Sequence, residues 1–452
     1  MSLRSDFEQC DYNISSVSAR SDNQLMTSYY EATAVPQPGP PLTQHEQCEV
    51  AIIGGGFAGL AVAASLRERG VTSIAVVESR HVGYGASGRN GGFIFGGYSL
   101  GEEALRRQHG PERARQLYQL TLRGGELIAE RSRALGIDCD YRQSGVLLAD
   151  WFGDTASLRR KQQLMAETYG VDWRLLDREE TRACLATERY HGALLESRAA
   201  HFHPLKYCQG LARALRAQGV AIHEQSPVTR VQSQGAGYRL DTPEGSLEAQ
   251  RVVVAAGGYI HGLDLPISRA ILPIATYVAA TQPLGERLND YIRGDWAIYD
   301  TRFAFDYYRP LPDTRLLWGG RISIRRPGPE TLKRWLRRDL QRVFPELAAT
   351  TEFEYVWYGL MGYMRHQMPC IHQTRPGLWH LIGFGGHGVA PTSGLGELLA
   401  ATLCGDDEQH DWFQRYAMPP VYGALGSGAA QLTYWRAQIS DWIKDWRWRG
   451  KR

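Results

Sequence analysis

Val50-Ala51-Ile52-Ile53-Gly54-Gly55-Gly56-Phe57-Ala58-Gly59 carries the first signature of the fold. A run of strand formers enters a GxGxxG turn, and Leu60 to Arg69 continues as a helix with small apolar residues on one side. Gly54 permits the tight turn, Gly56 lets a pyrophosphate approach the backbone, and Gly59 lets helix and strand pack closely. Phe57 and Ala58 open the helix, whose free N–H groups and positive dipole end face the phosphates. Ile74 to Val77 is a second buried strand ending at Glu78, 19 residues after Gly59, where a carboxylate can accept from ribose hydroxyls. Ser79 and Arg80 follow it into the same site. Together these pieces make a βαβ half-unit of a Rossmann-like, dinucleotide-binding α/β fold. The fingerprint alone leaves NAD and FAD both open.

Around this unit the chain runs to 452 residues, enough for two or three domains. With 43% hydrophobic and 22% charged residues it has the composition of an ordinary globular protein. A formal net charge of +3 is too small to point to a nucleic-acid partner. Cys10, Cys48, Cys139, Cys184, Cys208, Cys370 and Cys404 form no CxxC pair, which favours a reducing compartment over a disulfide framework or a zinc site. The N-terminus lacks an apolar core flanked by basic residues, and no apolar run reaches the ~18 residues of a membrane span. The cytoplasm is the default expectation.

The dinucleotide-binding pieces are interrupted. Residues 1–48 read as a polar arm followed by a Pro-rich connector, Ala34 to Leu42. The segments 49–100, 205–265 and 355–415 read as one domain, with 101–204 and 266–354 inserted as a second domain on a mostly antiparallel sheet. Residues 416–452 read as a C-terminal amphipathic helix. The expected architecture is two interleaved domains rather than two beads.

A second glycine-rich segment, Gly83-Tyr84-Gly85-Ala86-Ser87-Gly88-Arg89-Asn90-Gly91-Gly92-Phe93, separates the two cofactors. Placed directly after Glu78, it can carry backbone N–H groups along an extended cofactor towards its ring. A third, Gly383-Phe384-Gly385-Gly386-His387-Gly388-Val389, joins a strand to a helix.

With SYYEATAVPQP, HFHPLKY, VVVAAGG and YYRPLPDTRLLWGGR, these motifs make the chain resemble the D-amino-acid-oxidase-like superfamily of FAD-dependent oxidoreductases. The resemblance runs from about Ser28 to Asp441 and lies in the branch containing γ-glutamylputrescine oxidoreductase. It implies that Gly85, Ala86, Ser87, Arg89, Asn90, Gly91 and Gly92 follow the pyrophosphate and flavin. It places Val228 at the adenine and Ala256 and Gly257 close to the dinucleotide. Gly383, Gly385, Gly386, His387, Gly388 and Val389 would lie at the ribityl chain and pyrimidine end. The helix after that turn would direct its positive end at the flavin C2 carbonyl.

Two departures narrow the reading. Some relatives attach FAD through a Cys well upstream of the GFxGHG turn, whereas here Cys370 sits too close to Gly383, so FAD is expected to be non-covalent. Relatives acting on small amino acids often carry a carboxylate-clamping Arg after WxGL, and here Trp357-Tyr358-Gly359-Leu360 is followed by Met361. Arg302, Arg309, Arg321 and Arg365 are alternative carboxylate partners. His387, Tyr308, Arg309 and Met361 form the candidate catalytic set. His387 is as readily a packing residue of its turn, and Tyr307-Tyr308 as readily an edge aromatic pair. His201 and His203 lack a carboxylate partner and read as structural rather than as metal ligands.

The expected reaction is oxidation of an amine C–N bond by hydride transfer to flavin N5, followed by hydrolysis of the imine. The expected substrate is γ-glutamylputrescine or another polyamine-type amine, with O2 or a quinone as acceptor. A cyclic or N-alkyl amino acid (pipecolate, proline, sarcosine) is the alternative, and an RNA-modifying or binding-only flavin-fold protein a more distant one. At the C-terminus Trp435, Ile439, Trp442, Ile443 and Trp446 follow helical spacing among basic residues. This helix is expected to cap the protein body; the competing reading is peripheral contact with an anionic membrane.

Overall fold

The protein is described from a computed structural model that covers residues 26–260, 263, 266–406, 409–416 and 418–449. The polar arm up to residue 25, with Cys10, lies outside the described residues, as do Lys451 and Arg452.

The first sheet is built on the opening strand, His45–Ile53. It pairs in parallel with Ile74–Val77 on one side and Ser246–Val254 on the other. Ala221–His223 and Leu378–Ile382 extend the parallel set outward, and Cys370–Arg375 closes one edge antiparallel. Strands buried on both faces carry near-continuous apolar runs, which is why Ile74–Val77 and Leu378–Ile382 contain no exposed residue. The helices Phe57–Glu68 and Val389–Cys404 pack on one another beside the sheet. Both are rich in Gly and Ala, which lets their backbones approach.

The second sheet has eight strands in the order Phe353–Tyr363, Leu272–Thr281, Leu316–Ser323, Tyr307–Pro310, Ala297–Asp300, Val146–Ala149, Ala193–Glu196 and Arg174–Leu176. All its pairings are antiparallel except Ala297–Asp300 with Val146–Ala149. The architecture is thus a Rossmann-like domain interleaved with a mostly antiparallel one. One boundary is corrected: the expected return to the first domain at 355 comes too early. Phe353–Tyr363 pairs along its length with Leu272–Thr281 in the second sheet, and the chain crosses back only after Tyr363.

The helical stretch Glu102–Ala134 is broken at Gly110, whose φ of 76° leaves the helical region, immediately before Pro111. Proline has no N–H to continue the ladder, so the break falls where the sequence removes a donor. The C-terminal helix, Gly423–Arg449, lies against the second sheet rather than the first.

Candidate active site

Ile53 passes into Gly54, whose φ of 113° is open to glycine alone, and the chain turns into the helix Phe57–Glu68. At Gly59 a Cβ would stand 2.0 Å from the Gly54 carbonyl oxygen, so helix and turn can meet only without one. The helix has no capping side chain of its own; the Phe57 N–H donates instead to Ser87 Oγ at 2.9 Å. The second glycine-rich segment thereby caps the first. Glu78 is held by backbone: Gly55 N–H donates to its Oε2 at 2.7 Å, and Arg80 N–H and Ser79 Oγ donate to its Oε1 at 2.9 and 3.1 Å. A carboxylate has lone pairs beyond these for a ribose hydroxyl.

Two cavities open along these segments. The first, of about 590 Å³, is lined by Gly54, Gly56, Glu78, Ser79, Arg80, Gly85, Ala86, Ser87, Val228, Ala256 and Gly257. The second, of about 240 Å³, is lined by Phe57, Ala58, Arg89, Asn90 and Gly91, and by the turn from Gly383 through Gly385, Gly386, His387 and Gly388 to Val389. Gly56, Ala86, Ser87, Gly257 and Gly258 line both, so the two form one elongated channel. Gly59 and Gly92 line neither. Gly92 has a φ of 77°, and a Cβ there would meet the Phe202 carbonyl oxygen at 2.3 Å, so it serves the turn rather than the channel.

An extended dinucleotide suits this lining. Glycines allow close approach at its middle, a helix N-terminus opens on it, and an oriented carboxylate marks the ribose end. No cysteine lines either cavity among the described residues. Cys370 is buried in the edge strand, where burial raises its thiol pKa to about 12.

The second cavity is closed on its far side by the antiparallel sheet. Phe95, Tyr299, Phe303, Phe305 and Tyr307 form an aromatic wall, joined by Thr276, Arg321, Met361 and Tyr363. Phe95 stacks on Tyr299 at 5.6 Å and meets the His387 ring edge-on at 5.4 Å. Burial lowers the pKa of His387; the Glu102 carboxylate opposes this and Lys161 adds to it. Behind the wall, Lys161 pairs with Glu102, and Glu196 is buried beside them. Burial, and then the Glu102 charge, push the Glu196 carboxyl up to about 8.

Two members of the expected catalytic set do not reach the cavity. Tyr308 is buried on the opposite face of its strand, stacked on Trp318 at 4.5 Å, with its hydroxyl donating to that of Tyr190 at 3.1 Å. Successive side chains of a strand point to opposite faces, and it is Tyr307 that faces the cavity. Arg309 approaches the channel only from behind. Its Nε donates to the Gly91 carbonyl at 2.8 Å and its Nη2 to the Phe202 carbonyl at 2.7 Å and the Tyr30 hydroxyl at 3.2 Å. It supports the loop and does not line the site.

Of the other arginines, Arg302 is enclosed by Asp300 and Asp306 over the Trp151 ring, and Arg365 is exposed in the turn after Phe353–Tyr363. Arg321 does line the cavity. It sits at a φ of 55° and grips the buried Asp339 through Nε and Nη2 at 2.6 and 2.9 Å. His201 contacts Asp295 O and Arg309. His203 accepts from Lys206 N–H at 3.1 Å as the cap of Pro204–Ala217, and lies 3.0 Å from Thr33 Oγ1. Among the described residues no group of three or more His, Cys, Asp or Glu is placed to hold a metal ion. The aromatic wall was not legible in the sequence, because Phe95 lies far along the chain from Tyr299, Phe303, Phe305 and Tyr307; only the strand alternation around Tyr307 gave a local signal.

Comparison with known proteins agrees with this geometry. The family described as FAD dependent oxidoreductase matches residues 49–402. A γ-glutamylputrescine oxidoreductase of Escherichia coli (strain K12) is 33% identical over 400 residues, covering 88% of this chain and 93% of that protein. A glycine oxidase of Bacillus licheniformis is 24% identical over 381 residues, covering 81% and 95%. The crystal structure of glycine oxidase from Geobacillus kaustophilus superposes with a TM-score of 0.70 at 21% identity, over 83% of this chain and 99% of that one.

Proposed function

Because this chain belongs to the family of FAD-dependent oxidoreductases, acting on CH–NH2 or CH–NH donors, we propose that its substrate is a polyamine-type primary amine such as γ-glutamylputrescine. The observation that carries the reading is the cavity wall. Phe95, Tyr299, Phe303, Phe305 and Tyr307 form it, and the lining residue Met361 follows WxGL, where the family resemblance implies a carboxylate-clamping Arg in relatives acting on small amino acids. Aromatic faces suit an alkyl chain and an amine that arrives as a cation. Arg321 uses Nε and Nη2 on Asp339, which leaves its Nη1 N–H groups for the carboxylate of a glutamyl end. The relative named for γ-glutamylputrescine supports the same class.

When bound, FAD supplies the hydride acceptor at flavin N5. The chain's own residues prepare the donor. His387, its pKa lowered by burial, lines the cavity as a neutral imidazole able to accept a hydrogen bond from the amine, and the neutral form of the amine is the one held against the aromatic wall. Tyr307, Phe95 and Tyr299 exclude water while the α-C–H is positioned. The product imine then hydrolyses in water. O2, giving H2O2, or a quinone serves as the final acceptor.

The test is anaerobic bleaching of the holoenzyme. γ-Glutamylputrescine should reduce the flavin at least ~10-fold more efficiently than pipecolate, proline or sarcosine. Faster bleaching by those amino acids would transfer the assignment to the cyclic or N-alkyl class, for which Arg321 would be the carboxylate partner. Bleaching by no amine would overturn the reaction class.

A further inference from the structure

The C-terminal helix Gly423–Arg449 is amphipathic in the inverted sense. Its polar face is the one turned to the protein. Gln431 Oε1 accepts from Ser323 Oγ and Ile324 N–H, and the Tyr434 hydroxyl accepts from Ile322 N–H at 3.1 Å. Asp441 Oδ2 accepts from Phe303 N–H at 2.9 Å, and Asp445 pairs with Arg189 at 2.5 Å. The outward face is apolar. Leu432, Ile439, Trp442 and Trp446 are 63%, 58%, 65% and 68% exposed, and Leu425, Trp435 and Ile443 continue the same stripe. Soluble monomers seldom leave a continuous stripe of this size uncovered.

The charge pattern identifies the cover. Both acidic residues of the helix, Asp441 and Asp445, are buried against the body. The exposed charges are Arg436, on the border of the stripe, and Lys444, and the sequence continues through Arg447, Arg449, Lys451 and Arg452. An apolar face rich in Trp, bordered by Arg436 and carrying no acidic residue among the described ones, complements an anionic lipid surface, with the rings at headgroup depth. A second copy is a poorer match. The stripe follows 3–4 spacing, but Trp at 435, 442 and 446 is too bulky for regular knobs-into-holes packing, and self-pairing would face cations with cations. No helix among the described residues is long and apolar enough to cross a membrane, so the contact is a peripheral one.

We propose that this helix docks the protein onto anionic bilayers, with its Trp-bearing face lying in the headgroup region. Asp441 and Tyr434 hold the polar face of the helix at Phe303, a residue of the cavity wall, so the helix lies beside the second cavity with its apolar face turned away from it. The inference is independent of which amine is oxidised.

The test is sedimentation of the full-length holoenzyme with phosphatidylcholine vesicles containing or lacking phosphatidylglycerol. Binding to the anionic vesicles should be at least ~10-fold stronger, and should weaken as salt rises. It should be lost in Trp442→Ser/Trp446→Ser and reduced in Arg436→Gln/Lys444→Gln. Both variants should keep the flavin absorbance and melting temperature of the parent, because the substituted side chains are exposed. On the unsubstituted protein, brominated lipids should quench Trp fluorescence once vesicles are bound. Absence of binding, binding that the substitutions leave intact, or bound protein without quenching would each overturn the proposal. So would a solution dimer dissociated by the Trp substitutions, which would make the stripe a self-association face.

Discussion

Arg89 Nη2 donates to Glu31 Oε1 at 2.7 Å, joining the N-terminal arm to the loop that lines both halves of the cofactor channel. Glu31 closes a capping box with Ser28 on the short helix Tyr29–Thr33, and Arg89, only 3% exposed at its side chain, also donates to the Tyr84 carbonyl. The Arg89 carbonyl in turn accepts from Trp357 Nε1 at 3.0 Å. The arm is therefore part of the scaffold of the site. Removing one partner of a largely buried pair costs about 3–5 kcal/mol because the other charge is stranded. Glu31→Gln keeps the shape and loses the charge. It should weaken FAD binding by about tenfold or more, read by flavin fluorescence on titration of the apoprotein. Unchanged affinity would reduce the arm to packing.

Tyr307 and Tyr308 are adjacent in sequence and opposite in role. Tyr307→Phe, on the cavity wall, should lower kcat/KM for the amine by several-fold with little change in melting temperature. Tyr308→Phe removes the hydrogen bond to Tyr190, worth about 1 kcal/mol, and should lower the melting temperature while leaving kcat/KM in place. Steady-state kinetics and calorimetry on the two variants test the assignment, and the reverse pattern would refute it.

On the proposed function, Met361 is the residue that turns small amino-acid carboxylates away. Met361→Arg introduces a guanidinium into the cavity, and discrimination should shift at least ~10-fold towards sarcosine or proline relative to polyamine-type amines. Ratios of kcat/KM across the panel are the readout. An unchanged ratio would mean that the residue does not face the substrate's carboxylate.

Glu196 makes stability depend on pH. Its folded-state pKa of about 8 lies above the ordinary value of 4.5, so the folded protein binds this proton more tightly than the unfolded chain. The resulting stabilisation is complete below about pH 4.5 and is lost as pH rises through about 8. Glu196→Gln retains the neutral shape at every pH. Its advantage in melting temperature over the parent should grow between pH 5 and pH 8.5, reaching roughly 2 °C or more. A difference that stays flat across that range would show that the carboxyl ionises normally.

His387 sets a second pH dependence. Its lowered pKa leaves the imidazole neutral at neutral pH, so kcat/KM should fall on the acid side as His387 is protonated. His387→Gln should remove that acid limb and lower the plateau by about 10²-fold. A preserved limb would assign it to another group.

The cofactor half of this protein was readable from its residues alone. The turn at Gly54, the carboxylate at Glu78 and the loops at Gly85 and Gly383 are local constructions in which each residue type follows from its own backbone geometry or chemistry. Such constraints act over a few residues and survive being read in one dimension. The interleaving of the two domains was legible for a related reason, since the apolar runs of buried parallel strands differ from the alternating pattern of the second sheet. The substrate side, by contrast, emerged only from the packing of distant segments. Phe95, Tyr299, Tyr307 and Arg321 come from separated strands and loops, and their convergence depends on sheet register. A shift of one residue reverses the face a side chain occupies, and that is how Tyr308 stood in for Tyr307. The orientation of the C-terminal helix was likewise fixed from outside it. Its stripe of Trp was visible in sequence, but only the partners of Asp441 and Tyr434 showed that the polar face is buried and the apolar one left to solvent.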